Sequence, residues 1–207
     1  MNSQKAEIIG FLCAEGCFYK YTTKYMSYDP RRNAHYPATQ NVKAIEFGNN
    51  NPVLQKRFLD LLNSVYNYKR RVTGVKRAQK IVIKRTVVMN DLLKYTRYGS
   101  SEWNVPKEII KGGLKTKSSF LRGIFDGDGS FDFVRNRIRL SSTNHVGIKQ
   151  VYILLKTLGI ESRIEGPYKK KGKKDAYILI VNKKKDLKKY LKLISSNRFI
   201  GIWRLKI

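Results

Sequence analysis

The apolar positions of the chain change spacing from helical to strand-like and back in the same order twice. Residues 5–15 and 118–128 carry apolar and small side chains at helical spacing and run into Gly16 and Gly129, which are able to take the left-handed conformation of a helix stop. Asn51 followed by Pro52 predicts an N-cap and first turn for a helix running through Val65, and Thr143 or Asn144 opens a counterpart through Leu158. Between these helices the alternation has a period of two. In VRNRIRL, Val134, Ile138 and Leu140 fall on one face and Arg135, Arg137 and Arg139 on the other, with Asn136 as an interruption. A strand that is apolar behind and arginine-rich in front is half-buried, with its front face open to phosphates and bases.

The recurrence is close enough to align. IIGFLCAEGCF (8–18) and LRGIFDGDGSF (121–131) share one grammar, pairing Gly10 with Gly123, Ala14 with Gly127, Glu15 with Asp128, Gly16 with Gly129 and Phe18 with Phe131 at a constant offset of 113. Residues 45–65 and 138–158 align at an offset of 93, with Asn51 on Asn144 and Leu61-Leu62 on Leu154-Leu155. IVI at 81–83 is matched with ILI at 178–180, and DLLKY at 91–95 with DLKKY at 186–190. The chain therefore reads as a duplicated α+β domain, each half running helix, strand, strand, helix, strand pair, helix. The change of offset puts about twenty extra residues between Phe18 and Ile45 of the first half. The halves span residues 1–96 and 118–207, and 97–117 forms a linker with one short helix at Lys107–Lys111.

Charge narrows the partner. Forty-three Lys and Arg against fifteen Asp and Glu give a formal net charge of +28, which favours a polyanion. No stretch approaches the roughly 18 apolar residues of a membrane-spanning helix, and the N-terminus lacks a secretory pattern, so the expected setting is intracellular. Basic residues cluster at matching places in both halves. Lys20, Lys24, Arg31, Arg32, Arg70, Arg71, Lys76, Arg77 and Lys80 in the first half, and Arg135, Arg137, Arg139, Lys170 and Lys173 in the second, are the candidates for nucleic-acid contact. Cys13 and Cys17 cannot form a zinc site without further ligands; Cys13 reads as a small core residue and Cys17 as a strand entry. His35 and His145 stand too far from other candidate groups to nominate.

Against this positive background, two acids at helix ends need a reason. Counting from Asp126, a helix-loop-helix calcium site would need Gly at Phe131 and Glu at Arg137, so that reading fails. A phosphate-binding glycine loop belongs at a helix start and carries no acid, so it fails too. Glu15 and Asp128 lie where the helix dipole is already negative, a mild cost repeated twice. A divalent cation removes that cost, since carboxylates and last-turn carbonyls are oxygen ligands suited to Mg²⁺. The small residues Gly10, Ala14, Gly123 and Gly127, spaced i, i+4, allow the two helices to pack closely, which brings Glu15 and Asp128 together.

With these residues the chain resembles the LAGLIDADG homing endonucleases, IIGFLCAEG and LRGIFDGDG standing as the two motif copies, with Cys13 in place of the first motif's inner Asp. The resemblance implies a monomer of two pseudo-symmetric αββαββα halves. The motif helices pair at their interface, and two antiparallel sheets form a DNA-binding saddle. It implies cleavage of both strands of a long DNA site by a protein of intron or intein origin, with Mg²⁺ held by Glu15 and Asp128 and by the carbonyls of Ala14 and Gly127. Mn²⁺ is expected to substitute, and Ca²⁺ to support binding without cleavage. Asn51 and Asn144 are implied near the metals as catalytic residues positioning water, and one basic residue among Lys20, Arg198, Arg204 and Lys206 as an assistant. The alternatives on the same scaffold are an RNA-binding maturase of the host intron and a catalytically silent DNA-binding protein.

Overall fold

A computed structural model describes residues 1–69 and 80–196. The first half supplies α1 (Ser3–Glu15), β1 (Gly16–Asp29), β2 (Ala34–Gly48), α2 (Pro52–Tyr66), β3 (Lys80–Ile83) and α3 (Thr86–Leu93). After the short α4 (Lys107–Ile110), the second half supplies α5 (Leu114–Asp128), β4 (Gly129–Asp132), β5 (Arg137–Ser142), α6 (His145–Thr157), β6 (Arg163–Tyr168), β7 (Ala176–Val181) and α7 (Lys184–Ile194). Both sheets are antiparallel, ordered β1-β2-β3 and β4-β5-β7-β6. Among the described residues, no helix is long and apolar enough to cross a membrane.

The duplication is visible in the strand register. Phe18 pairs with Ile45 and Ile45 with Ile83; in the second half Phe131 pairs with Ile138 and Ile138 with Val181. The later alignment needs two corrections. Ile83 is equivalent to Val181 and Ile81 to Leu179, so IVI matches 179–181 rather than 178–180. A run apolar at every position carries no alternation to set its phase, and a slip of one residue exchanges the faces. DLLKY and DLKKY are also out of phase: the buried Met89 and Leu92 of α3 correspond to Leu187 and Tyr190 of α7, so Asp91 and Asp186 occupy different turns.

α1 and α5 lie side by side at the centre. A Cβ on Gly10 would sit 2.2 Å from the Phe120 carbonyl oxygen, and one on Gly123 would sit 2.3 Å from the Glu7 carbonyl oxygen. Residues 7 and 120, like 10 and 123, are equivalent positions, so the two approaches are one contact repeated about a two-fold axis. Gly127 meets its own equivalent, Ala14, with a Cβ-to-Cβ distance that would be 2.4 Å. Equal chain directions on both sides make the helices parallel, with both C-termini at one end. Gly16 and Gly129 end them, but with extended backbone at φ −92° and −73° rather than in the left-handed region. Their N–H groups close the last turn onto Leu12 and Phe125, and a Cβ would lie 2.2 and 2.3 Å from those same carbonyl oxygens. Close approach at a helix-to-strand junction, not a positive φ, requires glycine here.

α5 begins at Leu114, ahead of the expected 118, and the stretch before it is packed rather than loose. Tyr98, Trp103, Val105 and Ile109 are buried, the Phe18 N–H donates to the Tyr98 carbonyl at 3.1 Å, and the Trp103 ring fills the space beside Gly147. The connection is thus tied to both halves.

Candidate metal centre and nucleic-acid face

Glu15 and Asp128 are the last residues of α1 and α5. The residues just before them, Ala14 and Gly127, touch across the two-fold, so both acids leave one junction, and the strands β1 and β4 begin at the next residue on either side. A side chain on Gly127 would also come within 3.2 Å of Glu15 Cγ, so the missing Cβ keeps space beside that carboxylate. The Ala14 and Gly127 carbonyls lie in the last helical turns, next to the two acids. This donor set is all oxygen. Among the described residues no group of three or more His, Cys, Asp or Glu could hold a metal, so two carboxylates and carbonyls form an incomplete shell. That fits Mg²⁺, which keeps several waters and is usually held by one or two carboxylates plus phosphate oxygens.

A residue that sequence reasoning passed over stands beside the first acid. Asn49, 7% exposed, donates its amide to Glu15 Oε1 at 3.1 Å. Asn49 is itself fixed, its Oδ1 accepting the Asn51 N–H at 2.8 Å and its carbonyl accepting the Gln55 side-chain amide. In the second half Ser142 holds the equivalent place, its Oγ accepting the Asn144 N–H at 3.1 Å. Asn51 and Asn144 are the helix caps: Asn51 Oδ1 accepts the Val53 N–H, and Asn144 Oδ1 accepts the Gly147 N–H, both at 2.9 Å. The Asn144 amide is spent on the Trp103 carbonyl, at 2.5 Å. The sequence signal for Asn49 was the run of three asparagines at 49–51, of which the one before Pro drew attention because of its capping signature. Asp126, the inner acid of the second motif, is fully buried and accepts from Ser196 Oγ. Cys13 at the matching position is buried, and burial pushes its thiol pKa up, leaving it protonated.

The basic candidates divide. Lys20 and Lys24 are exposed on β1, and Lys20 lies directly opposite Lys43. Arg31 and Arg32 sit in the β1–β2 turn, where Asp29 Oδ1 accepts the Arg31 N–H at 2.9 Å. Lys80 is paired with Glu46 at 2.7 Å. Arg70, Arg71, Lys76 and Arg77, with Arg198, Arg204 and Lys206, lie outside the described residues. Lys170 and Lys173 close the β6–β7 turn through a Lys173 N–H to Lys170 carbonyl bond of 3.0 Å.

The arginine strand requires correction. β5 starts at Arg137, so Arg135 and Val134 belong to a turn, and Val134 is 92% exposed instead of facing the core. The repeated D-x-x-R-N at 29–33 and 132–136 was the overlooked signal: Asn33 and Asn136 both take positive φ, 47° and 45°, at the end of equivalent turns. The phase of Ile138 and Leu140 is as expected, both buried. Arg137 is not open: Asp132 accepts from its Nε at 2.9 Å, and the Arg135 N–H together with Arg137 holds the Asp132 carboxyl below its ordinary pKa. Arg139 remains on the outer face between Ser130 and Ile180, with Nε buried and unpartnered among the described residues.

The extra segment of the first half forms a long hairpin of β1 and β2, exposed or half-buried on both faces from Lys20 to Lys43. Phe18 and Ile45 mark the core side. By strand alternation Tyr19, Tyr21 and Tyr25 share the opposite face, with Tyr21 and Tyr25 about half-exposed and Tyr19 stacked on Tyr21 at 5.7 Å between centroids. Lys20, Lys24 and Lys43 line the first face. A two-stranded ribbon of this kind fits a DNA major groove.

Comparison with known proteins agrees with this geometry. The LAGLIDADG-like domain family matches residues 115–195. A DNA polymerase of Methanocaldococcus jannaschii is 27% identical over 199 residues, which cover 92% of this chain and 11% of the polymerase; the chain thus spans about a tenth of the length of that relative. Among solved structures, the homing endonuclease I-DmoI in complex with DNA and Mn is similar at a TM-score of 0.63 and 16% identity, covering 94% of this chain and 98% of that one. I-DmoI has also been solved with DNA and Ca, at 0.63 and 16%, covering 95% and 91%. The N-terminal LAGLIDADG domain of DUF199/WhiA is similar at 0.58 and 17%, covering 96% and 86%. Residues 115–195 are therefore a LAGLIDADG-like domain, and the chain as a whole has the fold of the homing endonuclease I-DmoI.

Proposed function

We propose that the protein is a site-specific DNA endonuclease that makes a metal-dependent double-strand break in a long duplex sequence, acting as a monomer. The observation that carries this reading is the convergence of Glu15 and Asp128 on one junction at the inner ends of two basic sheets. One chain supplies both acids, one from each half (1–96 and 118–207, joined by 97–117), so no second copy is needed. Bound between them, Mg²⁺ or Mn²⁺ would supply Lewis acidity toward a phosphate and a lowered pKa for an attacking water. Glu15, Asp128 and the carbonyls of Ala14 and Gly127 would hold the ion, and Asn49 keeps Glu15 oriented. The hairpin, Arg139 and the β6–β7 turn bind the duplex on either side. The I-DmoI complexes with DNA, Mn and Ca support the choice of ligand and ion by analogy of fold.

The test is Glu15→Gln and Asp128→Asn, which keep shape and remove the charge that holds a cation. Each is expected to abolish or severely slow Mg²⁺-dependent cleavage of a target plasmid, while gel shifts in Ca²⁺ show duplex binding at least as tight as wild type. Cleavage of both strands at the wild-type rate by either variant would refute the assignment. A protein that only binds DNA would show no metal-dependent cleavage in any form.

A further inference from the structure

At the opposite end of the paired helices, about 18 Å from the acids along α1, an open cavity of about 640 Å³ lies between the first turns of α1 and α5 and the last turn of α7. Its floor is Glu7, 1% exposed, which grips the Arg57 guanidinium with two bonds, Nε to Oε1 and Nη2 to Oε2, both at 2.8 Å. Arg122 comes to the same carboxylate, Nη1 to Oε2 at 3.4 Å, and is fixed by a bond from its Nε to the Ile194 carbonyl at 2.7 Å. One carboxylate thus holds two guanidinium groups side by side. Arg57 Nη1 and Arg122 Nη2 have no hydrogen-bond partner among the described residues. Lys115 and Lys192 stand at the mouth, so the lining carries four cations against one anion.

Two further features point to an oxyanion. Ser118 lines the cavity at 5% exposure, and its hydroxyl has no hydrogen-bond partner among the described residues. A buried hydroxyl in that state costs free energy unless a ligand satisfies it. α5, fifteen residues long, opens at Gly113 with no side-chain cap, so its first-turn N–H groups and positive dipole end lie beside the cavity uncompensated. The arrangement is also one-sided. The positions equivalent to Glu7, Arg57 and Arg122 are Phe120, Gln150 and Ile9, and Phe120 and Ile9 are fully buried, so the duplicated architecture does not require the charged cluster.

The geometry points to a binding site for a phosphoryl group, held by Arg57, Arg122 and Ser118 and approached past Lys115 and Lys192. Paired guanidinium forks fixed by a carboxylate match the tetrahedral oxygens of phosphate, and pre-organisation by Glu7 lowers the entropy lost on binding. The phosphoryl group can belong to a nucleic-acid backbone or to a free phosphate compound, and the test separates these sources.

Pyrophosphate is titrated calorimetrically into the full chain in EDTA at fixed ionic strength, comparing wild type with Lys115→Glu/Lys192→Glu and with Ser118→Ala. Both lysines are exposed, so the double variant is expected to fold. A saturable site in the wild type, weakened roughly tenfold or more in the double variant and measurably weakened by Ser118→Ala, is the expected result. Equal affinity in wild type and the double variant, or no saturable binding, overturns the proposal. Competition then assigns the source: a short single-stranded oligonucleotide that displaces pyrophosphate identifies a backbone phosphate, and failure to displace identifies a free phosphate compound. Plasmid cleavage in Mg²⁺ is expected to be unchanged in the double variant, so the endonuclease reading stands or falls separately.

Discussion

Asn49 shows how one side chain can be separated into two duties. Its Oδ1 serves the Asn51 backbone, as Ser142 serves Asn144, while its amide reaches Glu15. Asn49→Ser is therefore expected to keep the backbone acceptor, with melting temperature close to wild type, and to lower cleavage roughly 10–100-fold, the usual cost of losing a group that orients a metal ligand. Single-turnover cleavage together with a thermal melt checks this. Cleavage at the wild-type rate would reduce Asn49 to a helix-entry residue.

The helix pair and the hairpin make opposite demands on their residues. In α1 and α5 the demand is absence: a methyl on Gly10 or Gly123 meets a carbonyl oxygen of the other helix, which cannot move without separating the helices. Gly10→Ala and Gly123→Ala are each expected to cost about 1–3 kcal/mol or more, read from urea unfolding, and to impair cleavage by shifting the acids. A wild-type denaturation midpoint would contradict the packing. In the β1–β2 hairpin Lys20 lies directly opposite Lys43, a repulsive pair that a polyanion across it would relieve, as the proposed duplex contact requires. Replacing Lys24 and Lys43 by Ala should weaken duplex binding and reduce the slope of log affinity against log salt by roughly 0.9 for each phosphate that is no longer neutralised. Tyr21→Ser with Tyr25→Ser should weaken binding to the cognate site while leaving that slope unchanged, since no charge is removed. A slope altered by the tyrosine pair would place those rings away from the bases.

For the molecule as a whole, the +28 charge makes stability as well as binding depend on solution conditions. α1 is tied to α3 by Asp91, whose carboxylate accepts from Lys5 Nζ and Tyr66 Oη, both at 2.7 Å. Burial raises the Asp91 pKa, but these two donors and the lysine charges outweigh it, and the folded value lies below the ordinary 3.8. A depressed acid contributes stability that is present above its unfolded pKa and is lost as pH falls through the folded one. Asp91→Asn is thus expected to lower the melting temperature at pH 6, and the gap from wild type should close below about pH 4. A gap that does not narrow at all as pH falls below the ordinary carboxylate range would mean that the contribution is packing and not charge.

What the sequence determined by itself was whatever is encoded locally and twice. The motif helices, their terminal acids, the asparagine caps and the offsets of 113 and 93 were legible because spacing, capping chemistry and repetition act within a few residues of chain. Tertiary structure decided the rest, because it depended on which atoms meet across the fold. The extended backbone of Gly16 and Gly129 follows from the closeness of Leu12 and Phe125, not from any turn signature. The phase of the uniformly apolar strand at 179–181 was set by pairing with β5. Arg137 looked open until the turn placed Asp132 beside it. Asn49 gained its place beside Glu15 over a separation of 34 positions, a distance at which sequence carries no geometric information until β2 returns along β1.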